Sequence, residues 1–280
     1  MKFVYFGYDF MLPAVKRLIF EGHELAGIFS FDVDNIFNFN SECKSLAVDR
    51  GNPFQLQPAQ DKHLQSFIDD GVECFLAAGY PHKIPHVDEK DAYAVNVHPT
   101  RLPKGRGLMP IPPIIMDNIK DAAGFTAHKM TQEFDAGDIL LQEKFDLAPN
   151  ETVESYTAKI AIRAPQLFSD LFADLPNLWT NATPQDKSQA TTLKPPKEES
   201  RLFKWNSSVE EIDKIGRAFG RFGSIANFDG QFWVVYHYDF WKEQHDFKPG
   251  TIAARMSREV VIAVSDGFVC LKDFQQLQAG

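Results

Sequence analysis

Residues 2–31, KFVYFGYDFMLPAVKRLIFEGHELAGIFSF, decide the fold of this chain. They begin with KFVYFGY, a short aromatic and β-branched run of the kind that forms a buried strand. Residues 11–24 then place apolar side chains at helical spacing and end near a glycine, which predicts a helix. A second apolar run, LAGIFSF, follows at residues 25–31. Together the three segments predict a β-α-β unit, and such a unit requires parallel strands.

Outward from this unit, strand and helix patterns continue to alternate over about the first 180 residues. Further strands are predicted within 73–80, 92–99, 122–130 and 138–147, and a long helix within 151–175. This alternation indicates an α/β domain with a largely parallel, Rossmann-like sheet. The G-x-G-x-x-G fingerprint of dinucleotide-binding proteins is absent after the first strand, so the architecture is expected without that cofactor.

The composition changes at residues 181–201, NATPQDKSQATTLKPPKEESR, which are polar and contain prolines. This segment reads as a linker. Beyond it, a helix with Ser207 or Ser208 as N-cap precedes several short alternating strands, a pattern typical of a small β-rich, open-barrel-like domain. The predicted organisation is therefore an α/β domain at 1–180, a linker at 181–201 and a small domain at 202–280.

Charge and composition exclude several classes of protein. The formal net charge is −9, whereas nucleic-acid binding draws most of its affinity from a basic face, so nucleic acid is disfavoured as a partner. The three cysteines include no C-x-x-C pair, which argues against a disulfide framework or a zinc site. Neither a signal peptide nor an apolar run of membrane length is present, so we expect a cytoplasmic protein without a membrane partner.

Two polar residues stand at the end of a predicted strand. Asn96 and His98 lie two residues apart in AVNVHP and therefore point the same way, and Pro99 ends regular pairing after them. Asp135, in the predicted turn DAGD, is placed to reach the same crevice. An Asn can hold a carbonyl oxygen that acquires charge, and a His with a carboxylate partner can manage a proton, so the trio suits attack of an amine on a carbonyl.

Each of these residues also has a plainer interpretation. A His-Pro pair at a strand end is common in ordinary turns, and DAGD is a usual turn composition in which the Asp caps or is solvated. His128, in the middle of a predicted strand, reads first as a buried structural histidine. His82 and His86 have a spacing that metals accept, but no supporting ligand pattern accompanies them, so no metal is expected. The residues alone leave catalysis and a simple turn both open.

Two separated blocks resemble one known family. NVHPTRLPKGRGLMPI, starting at Asn96, and GFTAHKMTQEFDAGDILLQE, starting at Gly124, are similar to the formyltransferases that use 10-formyltetrahydrofolate. The resemblance extends over the whole chain, since the C-terminal part looks like the small β-domain of methionyl-tRNA formyltransferases and sugar nucleotide formyltransferases. It implies catalytic roles for Asn96, His98 and Asp135, with 10-formyltetrahydrofolate as co-substrate.

The resemblance also implies where the folate and the acceptor bind. Main-chain groups of 79–86 and 130–134 would meet the pterin, with Tyr80, Ile84, Gln132 and Phe134 as the nearest candidates. Residues that follow the motif would face the acceptor: Arg101, Lys104, Arg106 and Met109. Thr100, Gly105 and the prolines of MPIPPII depart from the family pattern, so the identity of the acceptor is the open question.

The acceptor that the sequence favours is a small amine, such as an amino sugar on a nucleotide carrier. Methionyl-tRNA formyltransferases carry a basic inserted loop, whereas residues 30–45 here hold Asp32, Asp34 and Glu42 against Lys44. Three alternatives stay open at this point: a methionyl-tRNA formyltransferase, a formyltetrahydrofolate deformylase, and a binding module without chemistry. A homodimer is compatible with the sequence.

Overall fold

The computed structural model describes residues 1–34 and 38–277. The chain divides into two compact units. The first contains residues 1–110, 120–146 and 157–194, and the second contains residues 111–119, 147–156 and 195–280. The candidate residues of the sequence motifs all lie in the first unit, so this unit is described first.

A seven-stranded sheet forms the centre of the first unit, in the order β3-β2-β1-β4-β5-β6-β7. Its strands are β1 Lys2–Gly7, β2 Glu24–Phe29, β3 Phe54–Gln55, β4 Cys74–Ala78, β5 Tyr93–His98, β6 Gly124–Lys129 and β7 Ile139–Lys144. The first five in chain order pair in parallel, whereas β6 and β7 run antiparallel to their neighbours. The predicted α/β fold with a largely parallel sheet is confirmed.

Helices cover this sheet, and short helical turns connect it. The helices are α1 Leu12–Phe20, α2 Ser41–Asp49, α3 Asp61–Asp69, α5 Val153–Ala173 and α6 Leu175–Thr180, of which α5 includes residues of both units. Burial explains the opening stretch, because residues 3–6 of β1 are 0% exposed, as a central parallel strand requires. Around the stacked rings of Phe6 and Phe29 lies one apolar cluster, here called the sheet core, which also contains Leu64 and Phe75.

The antiparallel pairing of β5 with β6 positions the polar residues. Asn96 stands opposite His128, and His98 stands opposite Thr126. His98 is the last residue of β5, so its side chain reaches the carboxyl edge of the parallel strands. Ligands of open α/β sheets bind at this edge. Because β6 runs antiparallel to β5, residues of β6 and of the loop after it lie close to the polar residues of β5.

The second unit is built on a five-stranded antiparallel sheet in the order β10-β11-β12-β9-β8. Its elements are β8 Ser224–Phe228, β9 Gln231–Lys242, β10 Ile252–Arg255, β11 Val260–Ala263, β12 Gly267–Gln276, α4 Ile111–Met116 and α7 Val209–Phe219. Ser208 is the N-cap of α7, and its Oγ accepts a hydrogen bond from the amide of Glu211 at 3.3 Å. The predicted small β-rich domain is confirmed.

The polar segment 181–201 is not a free linker. Thr183 and Ile139 exchange two backbone hydrogen bonds of 2.9 and 2.8 Å, and Thr192 forms a parallel bridge with Arg106. The composition suggested a linker because these contacts use backbone groups and need no apolar side chains. The first compact unit accordingly extends to Lys194, while the expected domain boundaries at 180 and 202 stay a prediction.

Candidate active site

The structure brings Asn96, His98 and Asp135 within contact of one another. Asp135 lies in the loop between β6 and β7 and adopts a left-handed backbone with φ 56°, which Asp tolerates better than most residues. Its Oδ1 is 3.3 Å from Nδ1 of His98 and 3.4 Å from Nδ2 of Asn96. Residues that are 39 positions apart in sequence thus meet at the carboxyl end of β5.

The hydrogen bonds of His98 fix which of its nitrogens carries a proton. Nε2 is 2.9 Å from the carbonyl oxygen of Gly105, and a carbonyl only accepts, so Nε2 must donate. In the neutral ring the unprotonated Nδ1 then faces Asp135. Burial lowers the pKa of His98, although Asp135 and the Gly105 carbonyl act in the opposite direction. A proton that arrives at this ring is therefore held at Nδ1, beside the carboxylate.

The surroundings of Asp135 favour its ionised form. Burial acts to raise its pKa, but His98 and the backbone amide of Gly107 together hold the pKa of Asp135 below its ordinary value. The amide of Gly107 donates to Oδ2 at 2.9 Å, which leaves Oδ1 to face the two β5 side chains. The arrangement pairs a neutral imidazole with a carboxylate and can store one proton between Nδ1 and Oδ1.

The amide of Asn96 is oriented by His128. Nδ1 of His128 is 2.8 Å from the carbonyl of Lys129, so it carries the hydrogen and leaves Nε2 as an acceptor. Nδ2 of Asn96 lies 3.1 Å from this Nε2. Because His128 and Asp135 both accept, the amide nitrogen must face them. The buried histidine that the sequence read as structural is thus in direct contact with the site, and only the β5–β6 register reveals it.

Two glycines of PKGRG also contribute to the site, and sequence reasoning did not identify their roles. Gly105 and Gly107 have φ values of 74° and 120°, conformations that favour glycine. A Cβ on Gly107 would lie 2.4 Å from the carbonyl oxygen of Leu193, so no other residue fits. Oγ1 of Thr100 donates to the carbonyl of Lys104 at 2.8 Å and holds this turn. Gly105 and Thr100, which depart from the family pattern, are therefore structurally linked.

The predicted folate residues divide into two groups. Tyr80 and Ile84 are partly buried and pack, together with Met130, against the sheet core. Gln132 and Phe134 are exposed, Phe134 by 60%. Within the described ranges, residues 80–86 form no backbone–backbone hydrogen bonds, so their carbonyls and the amides of the non-proline residues have no backbone partner. Apolar walls beside open backbone groups fit a flat, polar-edged ring system such as a pterin.

The side chains predicted to bind the acceptor differ in the hydrogen bonds and ion pairs that they form within the protein. Nη2 and Nε of Arg106 donate to Oε1 of Gln185 at 2.7 and 3.2 Å. Nη1 of Arg106 lies 3.6 Å from Glu133. Nζ of Lys104 is 3.5 Å from Asp121. Arg101 forms no ion pair with any residue in the described ranges, and Met109 is 40% exposed.

Metal clusters, cysteines and membrane-spanning helices were each considered for residues 1–34 and 38–277. No group of three or more His, Cys, Asp or Glu side chains is arranged there to hold a metal ion. The three cysteines are free and buried. None of the helices in residues 1–34 and 38–277 has the length and apolar character needed to cross a membrane. The expected cytoplasmic location and the homodimer stay predictions.

Comparison with known proteins identifies the class. A carboxylate, an imidazole and an amide lie in contact at the end of β5, beside an antiparallel hairpin, in a Rossmann-like fold. Residues 42–171 match the family model described as formyl transferase, and residues 196–279 match that of the formyl transferase C-terminal domain. The chain belongs to the formyl transferase family. The resemblance to enzymes that use 10-formyltetrahydrofolate is thereby confirmed, and with it the prediction of a folate-dependent transferase.

Individual relatives differ in what they act on. The methionyl-tRNA formyltransferase of Rickettsia bellii is 27% identical over 99% of this chain and 92% of its own length. HypX from Aquifex aeolicus in complex with tetrahydrofolic acid has a TM-score of 0.69 at 17% identity, covering 99% of this chain but 44% of HypX. An N-formyltransferase from Helicobacter canadensis with folinic acid and dTDP-3-aminofucose has a TM-score of 0.67 at 12% identity, covering 99% of both chains. The two structural similarities support the fold alone.

Proposed function

We propose that this enzyme transfers the formyl group of 10-formyltetrahydrofolate to a primary amine of a small molecule, namely an amino sugar on a nucleotide carrier. The observation that carries formyl transfer is the 3.3 Å contact between Nδ1 of His98 and Oδ1 of Asp135, directly beside the amide of Asn96. Such a trio combines a proton acceptor with a donor for a carbonyl oxygen, and attack of an amine on a formyl carbon needs both.

The residues divide this chemistry between them. The bound folate supplies a formyl carbon that an amine can attack. Nδ2 of Asn96 makes a long, 3.4 Å contact with Asp135, and this N–H can turn to a carbonyl oxygen as that oxygen gains charge. Nδ1 of His98 then takes the proton that the amine loses, and Asp135 stabilises the resulting imidazolium. His98 passes this proton to the departing folate nitrogen as the bond between that nitrogen and the formyl carbon breaks. Burial of the pair strengthens each of these interactions, because little water competes for them.

The charge distribution supports a small acceptor. The net charge is −9, and two of the three predicted basic residues near the site, Lys104 and Arg106, are already paired with acidic side chains. A tRNA acceptor stem needs several free cations along its phosphates. The aromatic and acidic stretch at residues 30–45 supports a small acceptor through its composition alone, because positions 35–37 lie outside the described residues.

Methionyl-tRNA is the second candidate acceptor. The Rickettsia bellii relative matches this chain almost from end to end, and its sequence identity of 27% is higher than the 12% of the Helicobacter canadensis N-formyltransferase. Either acceptor would supply an amine that attacks the formyl group of the same donor, with the same three residues assisting. The residues of the site therefore do not distinguish between the two acceptors.

Incubation with 10-formyltetrahydrofolate and a panel of amines tests the proposal. The panel contains nucleoside diphosphate amino sugars, free amino acids and methionyl-tRNA, and mass spectrometry detects the formylated product. We expect formylation of an amino sugar nucleotide. A higher kcat/KM for methionyl-tRNA than for every small amine would overturn the small acceptor, and formate release without any amine would indicate a hydrolase.

Matched variants connect the activity to the site. Asp135→Asn should abolish most of the transfer, whereas Asp138→Asn, in the same turn, should not. If the donor is consumed under no condition in the panel, formyl transfer itself is refuted.

A further inference from the structure

The segment predicted as a linker contacts both loops of the site. Residues 183–193 are here called the strap. The strap begins at the pairing of Thr183 with Ile139, at the start of β7, and ends where the amide of Leu193 donates to the carbonyl of Arg106 at 2.8 Å. Between these anchors it passes the loop that carries Asp135 and the turn that carries Gly105. Sequence motifs of the family do not include these residues, since the family blocks end at β7.

Gln185 is the buried side chain of the strap. It is 9% exposed in a segment that is otherwise polar and largely exposed. Its Nε2 donates to the carbonyls of Asp135 and Gly137 at 2.8 and 2.7 Å, and its Oε1 accepts from Arg106. Every donor and acceptor position of the amide is therefore used. A buried amide that is fully satisfied in this way fixes the backbone groups that it bonds.

Thr191 holds the opposite side of the site. Its Oγ1 accepts from the amide of Gly105 at 2.9 Å, its own amide donates to the carbonyl of Pro103 at 3.1 Å, and its carbonyl accepts from the amide of Arg106 at 2.9 Å. The carbonyl of Gly105 in turn accepts from Nε2 of His98. The orientation of the imidazole thus depends on a turn that Thr191 of the strap holds through three hydrogen bonds.

We propose that the strap positions the proton pair, with Gln185 as the positioning residue for Asp135 and Thr191 as the positioning residue for His98. The inference rests on the proposed function, because it takes the contact between Nδ1 and Oδ1 as the site of proton transfer. Neither strap residue touches the reacting atoms. Each acts by holding one partner of a contact that misplacement by about 1 Å would weaken strongly.

Two matched pairs of variants test this inference. Gln185→Leu removes the buried amide, and Gln189→Leu makes the same change at an exposed position of the strap. Thr191→Val removes the hydroxyl, and Thr191→Ser retains it. We expect Gln185→Leu to lower kcat by about 10²-fold with a much smaller change in KM, and Thr191→Val by about 10-fold. Gln189→Leu and Thr191→Ser should stay within about twofold of the parent enzyme.

The pH profile separates positioning from a general loss of structure. Loosening Asp135 from His98 weakens the charge that favours the imidazolium, so the acid limb of the kcat profile, which reports protonation of His98, should move to lower pH in Gln185→Leu and remain in place in Gln189→Leu. A kcat loss proportional to the unfolded fraction in urea titrations, with an unchanged pH profile, would overturn the inference. So would equal effects of the two leucine variants.

A measurement without any substrate keeps the two proposals distinguishable. In NMR titrations of the histidine rings, with the His98 signal assigned through His98→Gln, Gln185→Leu should lower the pKa of His98 by about 1 pH unit. This result needs no acceptor, so it stands even if formyl transfer is refuted. An unchanged His98 titration in Gln185→Leu would refute the positioning role even in an enzyme that transfers formyl groups.

Discussion

Replacing Asp135 by Asn removes a charge from the site while keeping the shape of the side chain. The amide of Gly107 must still meet an oxygen, since it donates to Oδ2 at 2.9 Å. The new amide nitrogen is therefore forced toward His98 and Asn96. There it can donate to the unprotonated Nδ1 of His98, but it meets a second donor at Nδ2 of Asn96. The substitution should lock His98 in its neutral form and disturb Asn96.

The distance between the two groups sets the size of the effect. At the 3.3 Å between Nδ1 and Oδ1, two unit charges attract by about 5 kcal/mol at an effective dielectric constant of ~20. Opposite charges at such distances shift a pKa by about 1–3 pH units. We expect the pKa of His98 to fall by about 2 pH units in Asp135→Asn, and kcat to fall on the order of 10²–10⁴-fold because the ring no longer accepts a proton near neutral pH.

Steady-state kinetics between pH 5 and 9 and NMR titration of the histidine rings measure both quantities. Asp138→Asn is the matched control, because it removes a charge from the same turn without touching His98. A kcat for Asp135→Asn within about twofold of the parent would refute the proton-pair reasoning. A pKa of His98 that rises in this variant would refute the electrostatic argument, since loss of a neighbouring carboxylate can only disfavour the imidazolium.

Three further outcomes are expected. The folded-state pKa of His98 lies below its unfolded value near 6.5, so the unfolded chain gains the proton first as the pH falls. The free energy of unfolding should therefore decrease as the pH is lowered from about 6.5, and urea titrations should find a smaller decrease in His98→Gln. Gly137→Ala would place a Cβ 1.9 Å from the carbonyl oxygen of Lys129; the Asp135 turn must then move and kcat should fall by at least about 10-fold, whereas Gly51→Asn, where nothing lies within 4 Å, should leave kcat unchanged. Ser208→Ala removes the N-cap bond of α7 and should lower the free energy of unfolding by about 1 kcal/mol in urea titrations; an equal loss in Ser207→Ala would contradict the assignment of the cap.

The sequence was sufficient for the fold and for the choice of Asn96, His98 and Asp135 as the candidate trio. The aromatic run 2–8 has one stable place, a buried strand, and strand alternation makes Asn96 and His98 share a face without any tertiary information. The structure places Asp135 beside them. Their catalytic roles stay a proposal.

The residues that contact this trio could not be predicted from the sequence. His128 meets Asn96 because of the register between β5 and β6, and no local pattern encodes that register. Gly105 and Gly107 act through backbone groups, which leave no chemical signature in a sequence. Gln185 looked like one polar residue among many in a linker, since a single buried amide does not alter the composition of a segment.

The three buried cysteines have a practical consequence for the study of this enzyme. Burial is the largest cause that raises the pKa of the thiols of Cys43, Cys74 and Cys270. Thiolate is the form that reacts with maleimides and oxidants, so we expect the buried native cysteines to react much more slowly than an exposed introduced cysteine. A fluorophore can therefore be attached to one introduced surface cysteine, for example on the strap, with all native thiols left in place, and the binding of folate or acceptor can be followed directly.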